Sequence, residues 1–127
     1  MIKKEQSSEG TKLFNEWKER LGLHDWRIKF YDNVKPEDMD MKNADGVSKY
    51  YEDLKIAKIQ IVDPKYREEE LFPFDFEETL VHELLHCKLA LIDETGDEEN
   101  LQSRVVHQLI DDLAKALVAA KRSGIKT

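Results

Sequence analysis

Apolar residues at Leu13, Phe14, Trp17 and Leu21 recur at the spacing of one helical face, which predicts an N-terminal helix with Ser8 as its cap and Gly22 as its stop. The period then changes from helical to two. Trp26, Ile28 and Phe30 alternate with Arg27, Lys29 and Tyr31, as in a half-buried strand, and His24 before them falls in a polar turn. Residues 32–46 are rich in acids and turn-formers, including Pro36, Asn43 and the pair Asp45, Gly46, and read as a loop ending in a hairpin signal. Residues 47–51 and 55–62 read as two antiparallel strands joined around residues 52–54. Ala57, Ile59 and Ile61 face one way, and Lys58 and Gln60 the other. Asp63 and Pro64 end the sheet, and residues 65–71 suit a short polar helix.

The next segment has no polar face of ordinary width. Asp75 reads as a capping acid with Glu78 three positions on. From Leu80 to Ile92 almost every position is apolar apart from His82, Glu83, His86 and Lys88, so the helix is expected to be buried. Of the strands, the one at 55–62 is expected to lie beside it, because a short connection leads from one to the other. A turn at 93–97 follows, with Asp97 capping a long helix whose first turn carries Glu98 and Glu99. The apolar arc of that helix is Val105, Val106, Leu109, Ile110, Leu113, Ala116, Leu117 and Ala120, and Ser123 and Gly124 stop it. Together these elements predict an α+β fold. A small antiparallel or mixed sheet of about three strands packs on a buried helix, with an N-terminal helix and a long C-terminal helix. The 127 residues suit one domain, spanning residues 1–127.

The polar residues on the buried helix carry the chemistry. His82 and His86 are four apart and present their rings from one helical face, while Glu83 lies about 100° round the helix from His82. His-Glu-x-x-His at this spacing supplies two metal ligands and a carboxylate that reaches metal-held water without ligating. Two imidazoles and an acid on the only polar edge of a buried helix would be costly unless they held something. A catalytic zinc needs a third protein ligand and leaves its fourth position to water. The long helix returns beside His82 and His86, and His107 stands there at the border of its apolar arc, in one sector with Asp111 and Ala114. Asp111, one turn on, can accept a hydrogen bond from a ligand imidazole. Glu98 or Glu99 are the rival third ligands, although capping accounts for both. Cys87 points away from the proposed ligands and reads as core.

The motif His82, Glu83, His86 resembles that of the zincin metallopeptidases. The similarity extends by spacing over residues 74–117, and the strand before them is consistent in kind. The gluzincin branch places Glu-x-x-x-Asp on the downstream helix, and here His107 to Asp111 stands in its place, with a histidine where glutamate is expected. Small SprT-like peptidases also take a third histidine from a downstream helix. The chain's size is similar to that of minimal zincins, or minigluzincins, and of short phage and mobile-element reading frames. The resemblance implies a zinc-dependent hydrolase of peptide bonds, in which Zn2+ on His82, His86 and His107 polarises the scissile carbonyl. Glu83 takes a proton from water and passes it to the leaving amine. It also implies an edge strand above the site that pairs with extended substrate, and a latent form in which the tail or the loop at 32–45 covers the zinc. Tyr50, Tyr51, Tyr66 and Arg104 are the candidate oxyanion donors. Three neutral imidazoles would leave the ion its full charge and make its water more acidic.

Charge and cysteine content narrow the partners. A net charge of −7 argues against a nucleic-acid face, which needs clustered Lys and Arg, and against acidic substrates. A single cysteine excludes an internal disulfide framework and suits a reducing compartment. No stretch has the length of a signal peptide or membrane span, so a soluble cytoplasmic protein acting on a peptide or protein is expected. The residues leave oligomeric state open, and they leave two other readings open as well. One is a non-catalytic zinc-stabilised module with a fourth protein ligand; the other is a regulatory metallopeptidase domain working with a protein partner.

Overall fold

In the computed structural model, which describes residues 8–67, 73–91 and 101–124, the first helix is α1 (Glu9–Arg20). The Ser8 hydroxyl accepts from the Thr11 N–H at 3.1 Å, satisfying one of the donors a helix start leaves open. Gly22 follows the helix at φ +70°, a left-handed conformation that costs little only without a Cβ. Phe14 and Trp17 are buried, as their spacing predicts.

Strands β1 (Arg27–Val34), β2 (Gly46–Tyr51) and β3 (Ile56–Val62) form one mixed sheet in the order β1-β3-β2. The hairpin β2–β3 is antiparallel, and its turn closes through Lys55 at φ +54°. β1 pairs parallel with β3, which makes β3 the central strand and leaves β2 at an edge. Two sequence expectations change here. β1 does not stop at Tyr31: a register shift with Asn33 at φ +55° carries it on to Val34, into the segment read as loop. Gln60 lies on the face opposite Ile59 and Ile61, as its alternation predicts, and is buried there because the loop after β1 folds over that face. Its amide donates to the Asp38 carbonyl at 3.1 Å and its oxygen accepts from the Asp40 N–H at 2.8 Å. The Asp40 carboxylate lies 3.1 Å from Lys58 and 3.7 Å from Lys49 on the same face. The short helix expected at 65–71 is also absent over its described part: a single 3-10 turn, Pro64–Tyr66, gives way to extended backbone at Arg67.

The other face of the sheet carries α2 (Phe76–Lys88). Ile59 and Ile61 of β3 meet Leu80, Val81 and Leu84 in a core where all five are fully buried. Asp75 caps the helix, accepting from the Glu78 N–H at 3.0 Å. Phe14 of α1 stacks on Phe30 of β1 at 4.6 Å, and Phe30 meets Phe76 edge-on at 6.5 Å, so three aromatic rings join α1, β1 and α2. The apolar run overstates the helix: α2 ends at Lys88 and Leu91 is 87% exposed.

α3 (Leu101–Arg122) packs along α2. Its buried residues are Ser103, Val106, Ile110, Ala114 and Val118, while Val105 and Leu109 are exposed. At 100° per residue the buried face is turned roughly 90° from the predicted apolar arc, toward His107. Small side chains explain the turn, since Ser103 and Ala114 let the two helices approach where Leu109 would hold them apart. The expected turn at 93–97, Ile92, and the rival ligands Glu98 and Glu99 lie outside the described residues.

A charged cluster ties the helix ends together. Buried Glu77 accepts from Trp17 Nε1 at 2.6 Å and Lys121 Nζ at 2.6 Å, and Arg122 reaches it at 3.3 Å. Arg122 also forks onto the Asp75 carboxylate at 2.7 and 2.9 Å. Among the described residues no helix is long and apolar enough to cross a membrane.

Candidate metal centre

Helical repeat brings His82 and His86 to one side of α2, and the turned face of α3 brings His107 opposite them. The ring centroids of His82 and His86 are 5.1 Å apart, those of His82 and His107 5.0 Å, and those of His86 and His107 5.5 Å. One nitrogen from each ring lies within 4.8 Å of the others, and His82 Nε2 is 3.3 Å from His107 Nε2. The rings therefore converge on a common point, as ligands about 2 Å from one ion must. The three histidines can hold a metal ion.

The electrostatics favour a neutral imidazole at His82. Burial, then the neighbouring rings of His86 and His107, push His82 down to about 4 against a partial opposing pull from Asp111. This favours the neutral His82 ring, the form a metal requires. The ring's Nδ1 lies 3.4 Å from Asp111 Oδ1, a long contact with a carboxylate. Asp111 is held by Lys115 at 2.9 Å, and its own proton affinity lies below the usual range: that bridge and the His82 ring outweigh its partial burial.

Glu83 is 6% exposed and faces the same cavity, of about 1040 Å³, which the three histidines line. Its opposite wall is β2, with Gly46 and Ser48 lining the cavity, while β3 lies beside α2 as expected, beneath it in the core. Of the four candidate oxyanion donors, Tyr50 and Arg104 line the cavity. Tyr51 projects from the other face of β2 and is 67% exposed, and the ammonium groups of Lys35 and Lys65 lie within 6.0 Å of the Tyr66 ring. Cys87 is core as expected, and burial pushes its thiol up to about 12. The loop at 32–45 is pinned by Gln60 to the far face of the sheet, with Met41, Ala44 and Asp45 reaching the cavity's edge.

The sequence missed the part β2 plays. Its signal was Gly46 itself, a glycine entering a strand, which often marks a close approach of another group. Comparison with protein-family models, with curated proteins and with solved structures gave no match.

Proposed function

We propose that the chain is a zinc-dependent hydrolase of peptide bonds, built as a minimal zincin-like metallopeptidase. The observation that carries this reading is the convergence of three imidazoles from two helices, with Glu83 beside them on the wall of one cavity. An all-imidazole set suits zinc better than the hard cations, which want oxygen ligands. Bound to His82, His86 and His107, zinc would polarise a scissile carbonyl and acidify water at its open position.

The side chains do the rest. Glu83 accepts a proton from water as the water oxygen bonds to the carbonyl carbon. It returns that proton to the amide nitrogen as the C–N bond breaks. Asp111 holds His82 with Nδ1 protonated and Nε2 free to ligate. Tyr50 and Arg104 are the two candidates to donate to the carbonyl oxygen as it gains charge.

The edge of β2 supports a peptide substrate. The Val62 N–H donates to the Asp45 carbonyl at 2.9 Å, which sets the phase of the antiparallel ladder. Gly46, Ser48 and Tyr50 then direct their backbone groups away from β3, toward the open edge, where an extended peptide can add as a further strand. A buried single cysteine and this chemistry suit a protein working in the cytoplasm.

Zinc-loaded protein incubated with denatured casein tests the reading. Fragments that appear with the native chain and vanish with Glu83→Gln, at unchanged zinc content, support it. Cleavage that survives Glu83→Gln overturns the general-base assignment. Absence of cleavage by fully loaded native protein overturns the hydrolase reading in favour of a non-catalytic metal module.

A further inference from the structure

We infer that Gly46 is a positioning residue for Glu83: the bare backbone at the start of β2 forms the wall that sets where the Glu83 carboxylate lies. The inference rests on the reading of Glu83 as general base. A Cβ at position 46 would stand 2.9 Å from Glu83 Oε2, 3.0 Å from Glu83 Cγ and 2.9 Å from Thr79 Cγ2. Nonbonded carbon and oxygen atoms do not settle at such distances, so a side chain here must move something. The backbone gives no other reason for glycine. Among the described glycines only Gly22 and Gly124 have left-handed φ, and alanine is ordinarily the better residue in a strand.

Both surfaces that meet at this contact are fixed. On the strand side the Val62 N–H holds the Asp45 carbonyl at 2.9 Å. Arg67 Nε donates to Asp45 Oδ1 at 2.8 Å while its guanidinium lies 5.4 Å from the centre of the Phe74 ring. On the helix side Thr79 Oγ1 donates to the Asp75 carbonyl at 2.9 Å, which sets the direction of its methyl group. α2 is seated on the core through fully buried Leu80, Val81 and Leu84. The element left to yield is the Glu83 side chain, which moves its Cγ and carboxylate together by turning about Cα–Cβ. A methyl group at position 46 therefore displaces the carboxylate relative to the three imidazoles while leaving the imidazoles in place.

A mutant cycle in the full chain tests this. In metal-free protein, Gly46→Ala is expected to lower Tm by about 5 °C, the scale of a mild overpacking in a domain of this size. In the Glu83→Ala background the same change should cost less, because two of the three short contacts are gone and only that with Thr79 Cγ2 remains. If Gly46→Ala does not fold, the double variant should. Relief by Thr79→Ser but not by Glu83→Ala, equal losses in every background, or failure of the double variant to fold would each overturn the inference. In zinc-loaded protein acting on denatured casein, Gly46→Ala should reduce kcat about 100-fold with KM and zinc content unchanged, since a misplacement near 1 Å costs that much. A fall in zinc content or a rise in KM at constant kcat would overturn it. The thermal cycle reads out even if the protein cleaves nothing, so loss of the hydrolase reading and loss of the Glu83 contact are distinguishable.

Discussion

Two polar clusters share helix α2 little more than a turn apart, and they are built on opposite plans. Around Glu77 the signs balance: a carboxylate meets an indole N–H, an ammonium and a guanidinium, and Asp75 takes the rest of Arg122. Around His82 like groups are gathered, three imidazoles whose protonated forms would repel and which sit within 4.8 Å of one another. The first cluster is complete within the chain and closes the ends of α1, α2 and α3 together. The second could hold a metal ion. A polar group in a core that is matched by its neighbours is part of the fold, whereas lone pairs converging on one point beside a cavity belong to a site.

The largest effect expected is on the second cluster. Glu83→Gln should reduce peptide cleavage by about 100- to 10,000-fold, the range of a general base, without loss of metal, as followed by fragment appearance and metal analysis. The matching change in the first cluster should do the reverse. Glu77→Ala leaves Trp17 Nε1 and two cations without their shared acceptor and should cost about 2–3 kcal/mol in denaturant unfolding, less than for a fully buried pair because Lys121 and Arg122 reach solvent. Metal affinity should not change, and a drop in it would mean the two clusters are coupled. Asp111→Asn keeps the shape but weakens the hold on His82 Nδ1, and should lower metal affinity about 10-fold in a competition titration.

The smallest effect is on pH dependence. Hydrogen bonds from Arg122 hold Asp75 below its ordinary 3.8, and Glu77 lies below 4.5 because Lys121 and Trp17 outweigh its burial. Depressed carboxylates bind fewer protons in the folded than in the unfolded state. Their contribution is therefore whole above about pH 4.5 and fades as pH falls through the lowered values. The acid side of a stability–pH curve should be shallower for Glu77→Gln than for the native chain. An unchanged slope would remove Glu77 from the account of acid unfolding.

How far these clusters could be read from the chain differs for the same reason. His82, Glu83, His86 and the caps at Ser8 and Asp75 are local patterns, set by helical periodicity and first-turn donors, and the α+β fold with its hairpin follows from similarly short-range signals. What was hidden depended on partners distant in sequence. Glu77 reads as an acid near a helix start, and only Trp17 and Lys121, brought in by other helices, make it a buried ion pair. Gln60 obeys strand alternation until a loop covers its face. The parallel pairing of β1 with β3 rests on a crossover that composition does not encode. On α3, hydrophobicity pointed to Val105 and Leu109, but close packing selected Ser103 and Ala114 and so turned His107 toward its partners. His107 does come together with His82 and His86, while the apolar arc used to place it is not the face that is buried.

The central claim is that His82, His86 and His107 grip one divalent ion. Titrating metal-stripped protein with zinc, and repeating it with each histidine changed to alanine, measures this directly. The account predicts one equivalent bound per native chain and an affinity lower by more than about 100-fold in every single variant, beyond the 10- to 100-fold typical of groups that only support a ligand. Stoichiometric binding that persists after His107→Ala, or no binding by the native chain, would contradict it.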